Sequence, residues 1–229
     1  MERESAGNEA NTRKAFVQSG KKVALLIARL VLGYLFFTQL LWKMPPRFGC
    51  PPDFAFTTGD TQSGRVMLTR TSGLCDWVGI EAVWADQPRR FFVADMGPIG
   101  GPRLALNLSL LTRLNGQFIT GFVQPNIRWF GWVIWGMEAF IFLSLFLGVF
   151  TRLGGLVAVA QSAQLWIGLA GIAVPYEWEW TYTLMVVLSL LMLAFAPGGF
   201  LGLDGLITPR LEQAAQKGSR VAKAALWLV

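Results

Sequence analysis

Four long apolar runs constrain this chain more than any other feature of its sequence. A helix that crosses a bilayer needs about 20 mostly apolar residues, because each residue rises about 1.5 Å and the hydrocarbon layer is about 30 Å thick. The runs that meet this requirement are residues 25–42, 129–150, 153–174 and 180–196. The sequence therefore predicts an all-α membrane protein, a bundle of four transmembrane helices with a long extracytoplasmic loop that contains short or amphipathic helices.

The distribution of basic residues predicts how such a bundle is oriented. Lys and Arg cluster in residues 1–24 and 197–229, and Arg152 lies between the second and third runs. The short connection 175–179 carries two glutamates and no basic residue. Because positive residues near helix ends stay in the cytoplasm, both termini are predicted to be cytoplasmic and residues 43–128 extracytoplasmic.

The predicted location is the cytoplasmic membrane of a bacterium or archaeon. The first run is long and lacks a small-residue cleavage site, so we interpret it as an uncleaved anchor. The net charge of +6 is explained by the orientation and by contact with anionic head groups. Membrane lipid is therefore an expected partner, and nucleic acid is not.

Only Thr151 and Arg152 separate the second run from the third, which predicts a tight antiparallel hairpin at these residues. In the long loop, apolar residues at helical spacing predict an amphipathic helix over residues 104–124 that lies at the outer interface or packs only on protein. In the C-terminal tail, Asp204 is expected to cap a basic helix over residues 204–225.

Cys50 and Cys75 are the only cysteines, and both lie in the loop that is predicted to be outside. An oxidising compartment favours a structural disulfide between them. A redox-active pair is the sharper alternative, but active dithiols usually lie close together in sequence. Two thiols in a chain without histidine cannot complete a tetrahedral zinc site, so no metal is expected.

Glu138 is the most informative polar residue because it lies near the centre of the second run. A carboxylate there costs at least about 2.5 to 3.5 kcal/mol if it faces lipid, so it must face the interior and find a partner. Arg29 is the expected partner, although it can instead reach the membrane surface. Gln161 and Gln164 of the third run are expected to hydrogen-bond in the same place, which makes these four residues a candidate interior site.

Two interpretations of this site remain open. The polar residues can form a buried cluster that fixes the helix register. Alternatively, Glu138 is a protonatable group beside a lipid-soluble substrate, for which a quinone head group is suited. Such a substrate needs an aromatic-lined slot, and Trp132, Trp135 and Trp166 lie on the same helices.

The residues that bind common redox cofactors are missing. Without histidine the usual axial ligation of a membrane haem is excluded, and two cysteines cannot hold an iron–sulfur cluster. No glycine-rich nucleotide loop precedes a helix. Any electron transfer must therefore use a quinone or the cofactor of a partner.

The residues resemble the DoxX/DoxD family of membrane proteins, and the resemblance extends over all four runs. In chain order, the residues that carry it are Arg29-x-x-x-Gly33 ending in Lys43, then Glu138, then Gly148-x-x-Thr151-Arg152, and then Pro197 to Asp204 in the order PGGFLGLD. Tyr176-Glu177-Trp178-Glu179-Trp180 looks more like the DoxD branch, the membrane subunit of thiosulfate:quinone oxidoreductase.

The resemblance implies thiosulfate oxidation outside the membrane coupled to quinone reduction within it. Among the positions carried over, Arg29 and Glu138 are also the ones that stand out physically, and they are the expected catalytic residues. A DoxA-like partner subunit is implied, and we expect it to be a separate chain.

The sequence also bears on two other classes of function. A non-catalytic accessory or assembly subunit of a larger respiratory or photosynthetic complex is favoured by the missing cofactor ligands and by small residues along the third run, which let helices pack closely. A transporter is disfavoured because the chain lacks inverted repeats and helices broken at membrane depth.

Overall fold

The structure of the chain, a computed structural model, describes residues 2–50, 73–87, 89, 91–95, 103–172 and 179–229. Helices dominate these residues. In chain order they are α1 (Glu2–Trp42), α2 (Leu74–Trp84), α3 (Ser109–Phe118), α4 (Ile127–Leu147), α5 (Thr151–Leu169), α6 (Glu179–Phe195), α7 (Asp204–Gln216) and α8 (Arg220–Ala225). A π-helical segment, Ile119–Val123, extends α3, and a 3-10 turn, Pro197–Gly199, follows α6.

Each of the four predicted apolar runs falls on one of these helices. In the described part of the chain, two helices are long and apolar enough to cross a membrane, namely Arg13–Trp42 within α1 and the whole of α4. Helix α6 is apolar but shorter, with 17 residues. Helix α5 has 19 residues and begins with Thr151 and Arg152.

The predicted all-helical class is confirmed, apart from a small antiparallel pair of strands that was not predicted, β1 (Phe91–Asp95) and β2 (Arg103–Leu106). Phe91 lies opposite Leu106, and Asp95 lies opposite Arg103. Residues 104–106 therefore belong to a strand, and the predicted helix over 104–124 begins only at Ser109. The reason for the error is that a short apolar segment fits the spacing of a strand as well as that of a helix.

The chain forms two compact units. Unit 1 comprises Met1–Leu35, Ile141–Leu156 and Leu188–Val229. Unit 2 comprises Phe36–Phe140 and Val157–Val187.

Arg29 organises the backbone of unit 1. Its side chain is 1% exposed, and its guanidinium donates to the carbonyl oxygens of Pro197 at 3.0 Å and Leu201 at 2.9 Å. These carbonyls lie in the turn after α6, where helical hydrogen bonding ends and acceptors need other donors. Arg29 thus ties α1 to this turn.

Asp204 has a different role from the one predicted for it. Its carboxylate accepts hydrogen bonds from the backbone N–H groups of Phe150 (2.7 Å) and Thr151 (3.0 Å) and from the Thr151 hydroxyl (2.5 Å). The prediction that Asp204 caps its own helix is wrong, because its carboxylate serves the first turn of α5, whose N–H groups have no partner within that helix.

The predicted C-terminal helix over residues 204–225 is also interrupted. Helix α7 ends at Gln216, Gly218 has a positive φ of 94°, and α8 begins at Arg220. The Ser219 hydroxyl accepts a hydrogen bond from the Ala222 N–H and so caps α8. Glycine is well suited to the left-handed backbone that ends a helix, which explains the break.

The tight connection between α4 and α5 lies earlier than predicted. It consists of residues 148–150, and Thr151 and Arg152 already belong to α5. Gly148 has a positive φ of 66°, and a Cβ at this position would overlap the Arg29 guanidinium. Glycine is therefore required both by the turn and by the close approach of Arg29.

The core of unit 2 gathers around the end of α1, α2 and the π segment. Its buried residues are Phe48, Leu74, Cys75, Val78, Ile119, Val123 and Ile127. Cys50 and Cys75 form the expected disulfide, with their Cα atoms 5.3 Å apart. The bond fixes α2 to the segment that follows α1.

We expect Asp204→Ala to lower the free energy of unfolding by about 2 to 4 kcal/mol, because each buried N–H left without an acceptor costs about 1 to 3 kcal/mol. Asp204→Asn retains one carbonyl oxygen and should lose less. Thermal unfolding of the purified protein in detergent measures both. Glu212→Ala, an exposed change on α7, is the control. A melting temperature for Asp204→Ala equal to that of the control would contradict the capping role.

Candidate functional site

A cavity of about 210 Å³ lies within unit 2. We refer to it as the unit 2 cavity. Residues from α2, α3, the π segment, α4 and α5 surround it, together with Lys43, which follows the last residue of α1. Its lining residues are Lys43, Leu74, Trp77, Val78, Glu81, Phe118, Ile119, Val123, Phe130, Ile134, Met137, Ala160, Gln161, Gln164 and Leu165.

Most of the wall is apolar, and the polar groups are few. The π segment supplies Ile119 and Val123, and the wider π turn is closed by a hydrogen bond from the Gln124 N–H to the Ile119 carbonyl at 2.8 Å. Single π turns occur frequently at functional sites. An apolar wall with a small number of polar groups is typical of sites for small organic ligands.

Lys43 and Glu138 form a buried ion pair beside the cavity. The Lys43 Nζ lies 2.5 Å from the Glu138 Oε1, and the two side chains are 2% and 1% exposed. The Lys43 ammonium also lies 4.7 Å from the centre of the Trp77 ring, which is a favourable cation–π distance. Lys43 lines the cavity, whereas Glu138 is not among the lining residues.

The predicted pairing of Glu138 with Arg29 is therefore wrong. Glu138 pairs with Lys43, and Arg29 donates to backbone carbonyls of unit 1. Arg29 was the expected partner because it lies inside the first apolar run. Lys43 follows the last helical residue of α1 and lies just outside that run. The second oxygen of Glu138, Oε2, is buried and has no hydrogen-bond donor in the part of the chain that the structure describes.

Glu81 is the second carboxyl group of the site, and the sequence analysis missed it. Its side chain is 4% exposed, and its Oε2 accepts hydrogen bonds from the Asn115 Nδ2 at 2.9 Å and the Gln164 Nε2 at 2.8 Å. Burial raises the pKa of Glu81 to about 7, despite the opposing effects of these two amides and of the positive charges of Arg89 and Lys43.

Arg89 and Gly168 complete the surroundings of Glu81. Arg89 donates to the carbonyl oxygens of Ile167 (2.5 Å) and Gly168 (2.6 Å) near the end of α5. Burial lowers the pKa of Arg89 to about 10, although the negative charge of Glu81 opposes this effect. A Cβ at Gly168 would overlap the Glu81 carboxyl group, so glycine leaves the space that the carboxyl occupies.

The structure brings together some of the predicted site residues and separates others. Gln161 and Gln164 both line the cavity. Trp132, Trp135 and Trp166 do not, and the tryptophan in the wall is Trp77 instead. The cavity face of α4 is formed by residues spaced four and three apart, which leaves its tryptophans on other faces.

The three predicted tryptophans have other contacts. Trp132 is 53% exposed and packs edge-on against Phe48, with ring centres 5.6 Å apart. Trp135 packs edge-on against Trp132. Trp166 donates from its Nε1 to the Thr183 hydroxyl at 3.0 Å.

No group of three or more metal-binding side chains occurs in the described ranges of the chain. Tyr176, Glu177 and Trp178, which carry part of the family resemblance, lie outside the described residues.

Compared with known proteins, the chain matches no protein-family model, no curated protein and no solved structure.

We expect the stability of the protein to decrease as the pH rises from about 4.5 to 7, in part through Glu81. In the folded protein the pKa of Glu81 is about 7, whereas its ordinary value is 4.5. The contribution of Glu81 to stability is therefore fully present below pH 4.5 and is lost as the pH rises through 7. This difference corresponds to about 3 kcal/mol.

Glu81→Gln should remove this part of the pH dependence, because an amide does not titrate. Melting temperatures at pH 5 and pH 8 measure the effect. Asp86→Asn, an exposed carboxylate 77% accessible at its side chain, is the matched control and should behave as the wild type does. Equal pH dependence in Glu81→Gln and the control would show that Glu81 is not the titrating group.

Proposed function

We propose that this chain is the membrane subunit of a quinone-linked oxidoreductase and that the unit 2 cavity binds the quinone head group. The observation that carries the proposal is the composition of the cavity wall. Apolar side chains surround a buried carboxyl group, two glutamines and a lysine. A quinone needs the same combination, an apolar slot for its ring and donors for its two carbonyl oxygens.

The size of the cavity supports a ring of this kind. A cavity of about 150 Å³ in another protein accepts benzene. The unit 2 cavity has about 210 Å³ and therefore has room for a substituted six-membered ring. The Gln161 amide and the Lys43 ammonium are available types of donor for carbonyl oxygens. The Gln164 amide already donates to Glu81 at 2.8 Å and to the Asn115 Oδ1 at 3.5 Å.

We further propose that α1, α4, α5 and α6 are four membrane spans, with both termini in the cytoplasm. The length and apolar character of Arg13–Trp42 and α4 support two of the spans. In α1, Ile27, Val31 and Tyr34 are more than half exposed at helical spacing, as expected of a face that contacts lipid. The distribution of basic residues supports the orientation.

The electron donor is proposed from the family resemblance. Oxidation of two thiosulfate ions to tetrathionate releases two electrons, and a quinone that takes up two electrons and two protons becomes a quinol. The chain would receive the electrons on its outer side with a DoxA-like partner subunit. Glu138 would act as a positioning residue through Lys43, since Lys43 is the member of the pair that lines the cavity.

The alternative is a non-catalytic accessory subunit of a larger respiratory or photosynthetic complex. Broad exposed apolar faces on α1 and α6 would suit a partner in the membrane as well as lipid. However, Gly154 and Gly155 do not offer a free surface of small residues. Gly154 packs against Ser144, and Gly155 packs against the backbone of Met192 and Leu193.

The proposed orientation predicts which cysteine substitutions react from outside the cell. In the oxidised protein, Ser109→Cys at the start of α3 should be labelled in intact cells by a membrane-impermeant maleimide, because it would face the outside. Lys217→Cys in the C-terminal tail should be labelled only after the membrane is opened. Both positions are exposed, so the pair is matched. The reverse pattern would refute the orientation.

The quinone site predicts that the variant with both Lys43→Met and Glu138→Met keeps its fold but loses at least about tenfold in quinone reduction. Replacing both members of a buried ion pair with apolar residues is often neutral for stability. The cavity, however, loses a positive donor that would stabilise a reduced head group, and such donors contribute strongly to rates.

The measurement is thiosulfate-dependent reduction of decyl-quinone in membranes that contain the co-expressed partner subunit. The control variant combines Asp86→Asn and Arg113→Gln, which removes an exposed ion pair of the same unit. Unchanged turnover in the Lys43 and Glu138 variant would argue against the cavity as the quinone site.

A further inference from the structure

We infer that a ligand binds in the unit 2 cavity together with one proton, and that Glu81 is the group that accepts this proton. The protonated carboxyl group would then donate its O–H to a carbonyl oxygen of the ligand. The inference rests on the proposed quinone site and names the group that sets its affinity. The ligand class is a neutral ring with hydrogen-bond-accepting carbonyl groups.

The orientation of the Glu81 carboxyl group is fixed from two sides. Asn115 on α3 and Gln164 on α5 both donate to the same oxygen, Oε2. A carboxyl oxygen has two lone pairs, so both lone pairs of Oε2 are occupied. A proton therefore belongs on Oε1, and the two amides hold the group in place without supplying a proton themselves.

The positive charges near Glu81 are engaged elsewhere. The charged groups that act on it are Arg89 and Lys43. Arg89 donates to two carbonyl oxygens of α5, and Lys43 is paired with Glu138. Asp86 and Arg113 contact each other at the surface, with 3.5 Å between their charged atoms. Within the described residues, no cation is in direct contact with the Glu81 carboxyl group.

Glu81 is almost fully buried and lines the cavity, so a ring that enters lies beside its carboxyl group. Desolvation favours the neutral form of a carboxyl group. Only the neutral form has an O–H to donate to a carbonyl oxygen, and a carboxylate would instead face that oxygen with its own negative charge. Both effects favour binding to the protonated protein.

The strength of the coupling follows from linkage. Burial places the pKa of Glu81 at about 7 in the empty protein. If the ligand binds only the protonated form, its dissociation constant should be about tenfold higher at pH 8 than at pH 6. At pH 8, where the empty site is mostly ionised, about one proton should be taken up for each ligand bound.

Both quantities can be measured on the purified 229-residue chain in detergent. The probe is decyl-quinone, and its binding is followed by quenching of tryptophan fluorescence, since Trp77 lies in the wall. Proton uptake is followed with a pH indicator in weakly buffered solution. We expect the tenfold pH effect in the wild type and in the Asp86→Asn control, and equal affinities at pH 6 and pH 8 in Glu81→Gln.

The outcomes separate this inference from the proposed function. If the wild type does not bind decyl-quinone at either pH, the quinone site itself is refuted. If it binds with the same affinity at both pH values and takes up no proton, the quinone site stands and the proton coupling is refuted. A pH effect that persists in Glu81→Gln would assign the proton to another group. Should Glu81→Gln fail to fold, proton uptake by the wild type still decides the matter, because zero uptake overturns the inference.

Discussion

A charge removed from water must find a partner, and this requirement governs both units of the protein. In unit 2 the Lys43–Glu138 pair sets the position of the end of α1 against α4, because removal of either partner would leave the other charge buried and uncompensated. In unit 1, Arg29 and Asp204 satisfy the same requirement mainly with backbone groups. Each charged side chain thereby organises a turn or a helix end that apolar packing alone would leave undetermined.

Two of the charged side chains in the wall of the cavity are held by other residues of unit 2. Lys43 is drawn towards Glu138, and Glu81 is held by the amides of Asn115 and Gln164. Apart from Gln161, Gln164 and Trp77, the remaining wall consists of apolar side chains. Such an arrangement leaves the site selective for molecules that are mostly apolar and have a few acceptors.

The sequence predicted what depends on local pattern. Length and hydropathy located α1, α4, α5 and α6. The pairing of Cys50 with Cys75 was predicted because both lie in a loop expected to face an oxidising compartment. What depends on tertiary contacts was not predictable in this way. Glu81 lies in a loop helix far from Gln164 in sequence, and Asp204 caps α5 rather than its own helix. A clue to Glu81 existed, since it is flanked by Ile80 and Ala82 in a mostly apolar helix, which is an unusual setting for a surface glutamate.

The disulfide has a consequence for when the cavity can form. Helix α2 supplies Trp77 and Glu81 to the cavity wall, and the Cys50–Cys75 bond anchors the first turn of this helix. Disulfides form in oxidising compartments, whereas cysteine thiols stay reduced in the cytosol. In the proposed orientation, a newly made chain would therefore complete this wall only after its long loop has crossed the membrane. Maturation of the site would then report successful insertion, and chains still inside the cell would be kept from binding ligand.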